Sequence, residues 1–118
     1  MAFYFNNKLS VDIENKQYTI DLSTNKVIEA IKKIREDSIL MSKKEDVKEN
    51  DIEGYLANLK DFIMKTVGEQ EFEEIFKDKQ YAFSDLSELV QYILLEIEKF
   101  KKEKINRINS NPTPKKIS

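Results

Sequence analysis

The sequence predicts an α+β protein that is mostly α: a small N-terminal β-hairpin or meander, then three to four helices and a disordered C-terminal tail. Three observations carry this expectation. Apolar and polar residues alternate over the first 22 positions, the period of half-buried strands. From residue 23 onward apolar residues recur every three or four positions, the period of an amphipathic helix. The 118 residues include two glycines and two prolines, a scarcity that leaves room for long uninterrupted helices. A chain of this size fits one domain, placed here at 1–108, with the β element over 1–22, the helical part over 23–108 and a tail over 109–118.

The β element rests on Phe3, Phe5, Leu9, Val11, Ile13, Tyr18 and Ile20, which alternate with polar neighbours. Asn6-Asn7-Lys8 and Glu14-Asn15-Lys16 supply turn chemistry, because asparagine tolerates the left-handed backbone of tight hairpins. Two or three strands alone are marginal in water, so the element must pack on helices or on another subunit. Ser23 and Thr24 offer an N-cap for a first helix carrying Val27, Ile28, Ile31 and Ile34 on one stripe, continued less regularly by Ile39, Leu40 and Met41. The charged segment 42–50 reads as a solvated connector or a frayed helical turn. Asn50 and Glu53 have the spacing of a capping box for a second helix with Ile52, Tyr55, Leu56, Leu59, Phe62 and Ile63 on one face. Gly68 is placed to stop that helix as a left-handed C-cap.

A short third helix from Glu69 to about Lys77 groups Phe72, Ile75 and Phe76. Ser84 or Asp85 then caps the last helix. Its stripe is Leu86, Leu89, Val90, Ile93, Leu94, Ile97 and Phe100, widened by Tyr92 and Leu95 and extended through Ile105 and Ile108. Asn109 to Ser118 holds Pro112 and Pro114 and shows no periodicity, the pattern of a disordered end.

Composition removes most chemistry from consideration. The chain has no Cys, no His and no Trp. It therefore has no disulfide framework, no thiolate nucleophile and neither of the common zinc ligands. Gly54 and Gly68 lie in nothing like a phosphate-binding loop, which needs several glycines at fixed spacing. The run Glu69, Glu71, Glu73, Glu74 reads as a solvated helix face. No enzyme, no cofactor and no metal is expected. No apolar run has the length of a membrane span, and the opening Met1-Ala2-Phe3-Tyr4-Phe5 lacks the basic region and apolar core of a signal peptide.

The formal net charge of -2 argues against a general nucleic-acid binder. Charge is uneven, however: residues 99–118 hold seven Lys or Arg and one Glu. Cations at a helix C-terminus complement its dipole, and that structural role is the simpler account. The alternative is a small regulatory or nucleic-acid-associated protein that uses this basic end.

What remains is a protein that binds protein. A helix apolar on more than one side needs a central position or a partner. Tyr92-Ile93-Leu94-Leu95 with Ile97 has that character. The segment around Phe72 and Phe76 and the continuation to Ile105 add to it. The candidate partner-binding residues are Phe72, Phe76, Leu94, Leu95, Ile97 and Ile105. Open strand edges and the last helix also permit a dimer or a ring.

The same segments carry a resemblance. The opening FYFNNKLSVDI with QYTIDL, then VGEQEFEEIF, then DLSELVQYILLEIEKFKKEKINRIN and a short basic end resemble the tail assembly chaperones of long-tailed bacteriophages and prophages of Gram-positive hosts. The resemblance is one of element order over nearly the whole chain. It implies a non-enzymatic protein of the host cytoplasm, absent from the finished virion, that binds the aggregation-prone tape measure protein during tail morphogenesis. It also implies tail tube protein as a further partner and, in many members, a frameshifted longer form. Lys115-Lys116 is compatible with the slippery site such a form needs.

Overall fold

A computed structural model describes residues 6–77, 79–80 and 82–109. Two antiparallel strands, β1 (Lys8–Ile13) and β2 (Lys16–Asp21), precede four helices, α1 (Asn25–Lys43), α2 (Glu49–Thr66), α3 (Glu69–Ile75) and α4 (Phe83–Asn109). This is the α+β, mostly α arrangement predicted. Phe3, Phe5, Tyr81 and the tail beyond Asn109 lie outside the described residues, and Asn109 itself ends α4.

The hairpin forms where turn chemistry and alternation agree. Leu9 pairs with Ile20 and Val11 with Tyr18, so Leu9, Val11, Ile13, Tyr18 and Ile20 all face the helices and are buried. Glu14 and Asn15 take φ of 51° and 64°. Two consecutive left-handed residues make the tight turn whose twist matches that of the strands it joins. The outer edge of β1 is covered by α4: the Asp12 backbone N–H donates to the Tyr92 hydroxyl at 3.1 Å.

The helix starts are capped in two ways. Thr24 caps α1 as expected, its hydroxyl accepting from the Val27 N–H at 3.4 Å. For α2 and α4 the expected caps are displaced. α2 starts after Lys48, whose N–H donates to the Asp51 carboxylate at 3.0 Å, so Asn50 and Glu53 are not its capping pair. α4 starts at Phe83, and the Ala82 N–H donates to Asp85 at 2.9 Å. Asp51 and Asp85 reach back from the first turn, where their charge also favours the helix dipole. Gly68 follows α2 as expected, but with φ 116° and ψ 152° it is extended on the positive side rather than left-handed, and it is also the N-cap of α3. That backbone region is essentially reserved for glycine.

One core joins the elements. α2 contributes Leu59, Phe62 and Ile63, and α4 contributes Leu86, Val90, Ile93 and Ile97. These meet Val27, Ala30, Ile31 and Ile34 of α1, Phe72 and Ile75 of α3, and the inner face of the hairpin. Burying each such side chain stabilises the fold by about 1.5–3 kcal/mol. Thr66 is also buried, with its hydroxyl donating to the Phe62 carbonyl at 2.9 Å.

The glutamate run of α3 does more than face solvent. Glu74 accepts from Lys16 at 2.8 Å and from the Tyr18 hydroxyl at 3.2 Å, tying α3 to the hairpin. The Lys16 hydrogen bond, with that from Tyr18, holds the Glu74 carboxyl below its ordinary value of 4.5. A carboxyl depressed on folding stabilises the fold above its ordinary pKa and loses that contribution as pH falls through the folded value. Glu74→Gln is therefore expected to flatten the fall of melting temperature below about pH 4.5 while leaving its neutral-pH shape unchanged. Thermal scans of both proteins across the acid range check this, and identical acid limbs would contradict it.

Candidate protein-binding surface

The six residues picked from sequence separate into core and surface. Ile97 is fully buried and Phe72 is 5% exposed, so both belong to the core and neither can meet a partner. Ile97 continues the stripe of Leu86, Val90 and Ile93 at helical spacing, which points it inward. Phe72 packs on Phe76 with ring centroids 5.0 Å apart, and Phe76 is half-buried. Leu94 is also half-buried, whereas Leu95 is 64% and Ile105 55% exposed.

Leu94 and Ile105 share a flank of α4 with Glu98 and Lys101, because positions four, seven and eleven apart line up along a helix. Leu95 projects from the side of α4 that faces away from the core stripe of Val90, Ile93 and Ile97. α1 carries a matching flank of Ile28, Lys32, Arg35 and Ile39 at the same spacing. Ile28 is 48% and Ile39 54% exposed, and sequence reasoning did not single them out as contact residues. The signal was present in the loss of regular spacing after Ile34, which puts Ile39 off the core stripe.

The two flanks face each other in antiparallel order. Arg35 bridges to Glu98 at 3.3 Å. On one side of this bridge Leu22, Ile28, Ile31 and Lys101 line a hollow of about 350 Å³ that extends to Ile39. On the other, Ile39, Tyr55, Leu59, Val90 and Leu94 line a second hollow of about 320 Å³. Arg35 and Ile39 border both, so the hollows form one groove between α1 and α4 with an ion pair across its middle. Each flank spans twelve residues, roughly 16 Å over eleven steps of about 1.5 Å. A groove with apolar walls at this spacing is the seat an amphipathic helix takes.

A second concavity of about 670 Å³ lies at the other end of the hairpin, floored by Ile13, Ile75, Phe76 and Leu89. Asp12, Glu14, Asp85 and Glu88 stand around it, and Lys79 pairs with Glu14 at 3.0 Å. Phe76 is the candidate residue that reaches this space. Tyr55 and Phe83 cover each other at 5.9 Å between centroids. The exposed Leu40, Val47 and Ile52 are single apolar side chains of the kind any surface carries.

The basic end of α4 has local structural roles. Lys104 donates to the Asn6 carbonyl at 3.2 Å and to the Asn7 side chain at 2.7 Å, and Lys99 pairs with Glu96. Among the described residues no group of three or more acidic side chains is placed to hold a metal ion. Within them no helix is long and apolar enough to cross a membrane. Compared with known proteins, the chain matches no family model, no curated protein and no solved structure.

Proposed function

We propose that this chain is a non-enzymatic tail assembly chaperone that binds a tape measure protein in the host cytoplasm and keeps it in solution while the tail is built. The observation that carries the reading is the α1–α4 groove, with the exposed Ile28 and Ile39 of α1 on one wall and the half-buried Leu94 with Lys101 of α4 on the other. A long, aggregation-prone client exposes amphipathic helices, and shielding them needs an apolar seat framed by charge rather than a catalytic group. Arg35, Glu98, Lys32 and Lys101 provide that frame. The order of hairpin, helices and basic end, on which the resemblance to tail assembly chaperones rests, agrees with the proposal. Tail tube protein is a further partner under this reading.

Co-expression with the tape measure protein encoded nearby is the test. The soluble fraction of that protein is expected to rise severalfold, with the two copurifying. An unchanged fraction would sink the proposal. The alternative, a nucleic-acid-associated protein using the basic end, predicts salt-sensitive binding of DNA or RNA that disappears when residues 99–118 are removed. The engagement of Lys104 with Asn6 and Asn7 favours the first reading.

A further inference from the structure

The two halves of the groove between α1 and α4 differ in charge. The half that begins at Leu22 and Ile28 has Lys32, Arg35 and Lys101 at its rim and one lining carboxylate, Glu36. Arg35 is already bridged to Glu98. Lys32 and Lys101 are exposed, and among the described residues neither makes an ion pair. The other half, around Tyr55, Leu59 and Leu94, is bordered by the uncharged Ser38, Ser87 and Gln91. Arg35, shared between the halves, is the one charged side chain of that lining among the described residues.

This difference constrains what can fill the groove. A helix laid over the first half draws water from two ammonium groups, a cost that carboxylates placed against them offset. Over the second half a charged residue would meet no partner, whereas apolar and neutral polar residues would lose nothing. Lys32 belongs to α1 and Lys101 to α4, so the two stand on opposite walls. We propose that the client helix carries a carboxylate on each side of its apolar stripe at one end and uncharged residues at the other. Lys32 and Lys101 then fix its register by pairing with those carboxylates, while the Arg35–Glu98 bridge, satisfied within the chain, marks the boundary between the halves. The proposal rests on the groove being the client's seat.

Three synthetic peptides test this on the full-length chain. They share one leucine stripe at helical spacing, long enough to span the groove, and both termini are blocked. They differ only in the two residues that flank the stripe at one end, which are Glu, Gln or Lys. In a fluorescence anisotropy titration at low salt the Glu peptide is expected to bind about tenfold tighter than the Lys peptide, with Gln between them. The gap should close near about 1 M salt, where charges are screened beyond about 3 Å. Lys32→Glu with Lys101→Glu is expected to reverse the order of the peptides. Lys32→Gln with Lys101→Gln is expected to abolish it, and this neutral pair keeps the result decisive where charge reversal disturbs the fold. Circular dichroism spectra should stay unchanged, because both positions are exposed. Equal affinities for the three peptides, or an order that survives the neutral pair, would overturn the proposal. So would the absence of binding by any of them. The chaperone reading is decided separately by the solubility of the tape measure protein. A client kept in solution by a chain that does not discriminate the peptides would strike this inference alone.

Discussion

Ile97→Ala is expected to lower the free energy of unfolding by about 2–5 kcal/mol, whereas Leu95→Ala stays within about 0.5 kcal/mol of the parent. The two residues sit two positions apart on α4 and read alike in sequence. Ile97 is fully buried in the core with Val90 and Ile93. Truncating it removes apolar contact and leaves a void that neighbours only partly fill. Leu95 is 64% exposed and loses little on truncation. Urea unfolding of the three proteins reads the difference directly. Equal midpoints would mean that α4 is rotated from the orientation described.

The largest functional effect is expected from Ile39→Glu combined with Leu94→Gln. These residues are opposing walls of the hollow that Tyr55, Leu59 and Val90 also line. Apolar anchors at the centre of an interface are each worth about 2 kcal/mol or more, so the pair should weaken client binding well over tenfold. Ile39 is half-exposed and Leu94 half-buried, so the melting temperature should fall by only a few degrees. Phe76→Gln, in the concavity floored by Ile13 and Leu89, serves as the contrast and should leave binding near the parent value. Loss of client solubility with Phe76→Gln but not with the double variant would move the binding surface to that concavity.

Much of the fold was legible because local signals agreed with one another. Alternation from Leu9 to Ile20 fixed which strand face is buried, and Glu14-Asn15 marked the turn. The helix stripes named most of the core. Helix starts were less legible for a specific reason: Lys48 and Ala82 carry no capping side chain, and the carboxylates of Asp51 and Asp85 cap from inside the helix. A search for a polar residue just before the apolar run overlooks that arrangement.

The binding surface was only half legible. A stripe wider than its core face shows that some residues must be exposed, yet it does not show which. Ile97 and Phe72 lie at the centre of their stripes and go inward, while Leu94 and Ile105 lie on a flank. Choosing between them requires knowing that α1 runs antiparallel beside α4 with Arg35 against Glu98. That juxtaposition joins positions 63 residues apart, and no local pattern encodes it. Ile28 and Ile39 became visible as groove walls for the same reason.

Hydrogen exchange on the copurified complex with the tape measure protein tests the central claim most directly. The account predicts slowed exchange along α1 between Ile28 and Ile39 and along α4 between Leu94 and Ile105, with α3 unchanged. A complex whose protection falls on α3 and the hairpin turn, with α1 and α4 exchanging as in the free chain, would contradict it.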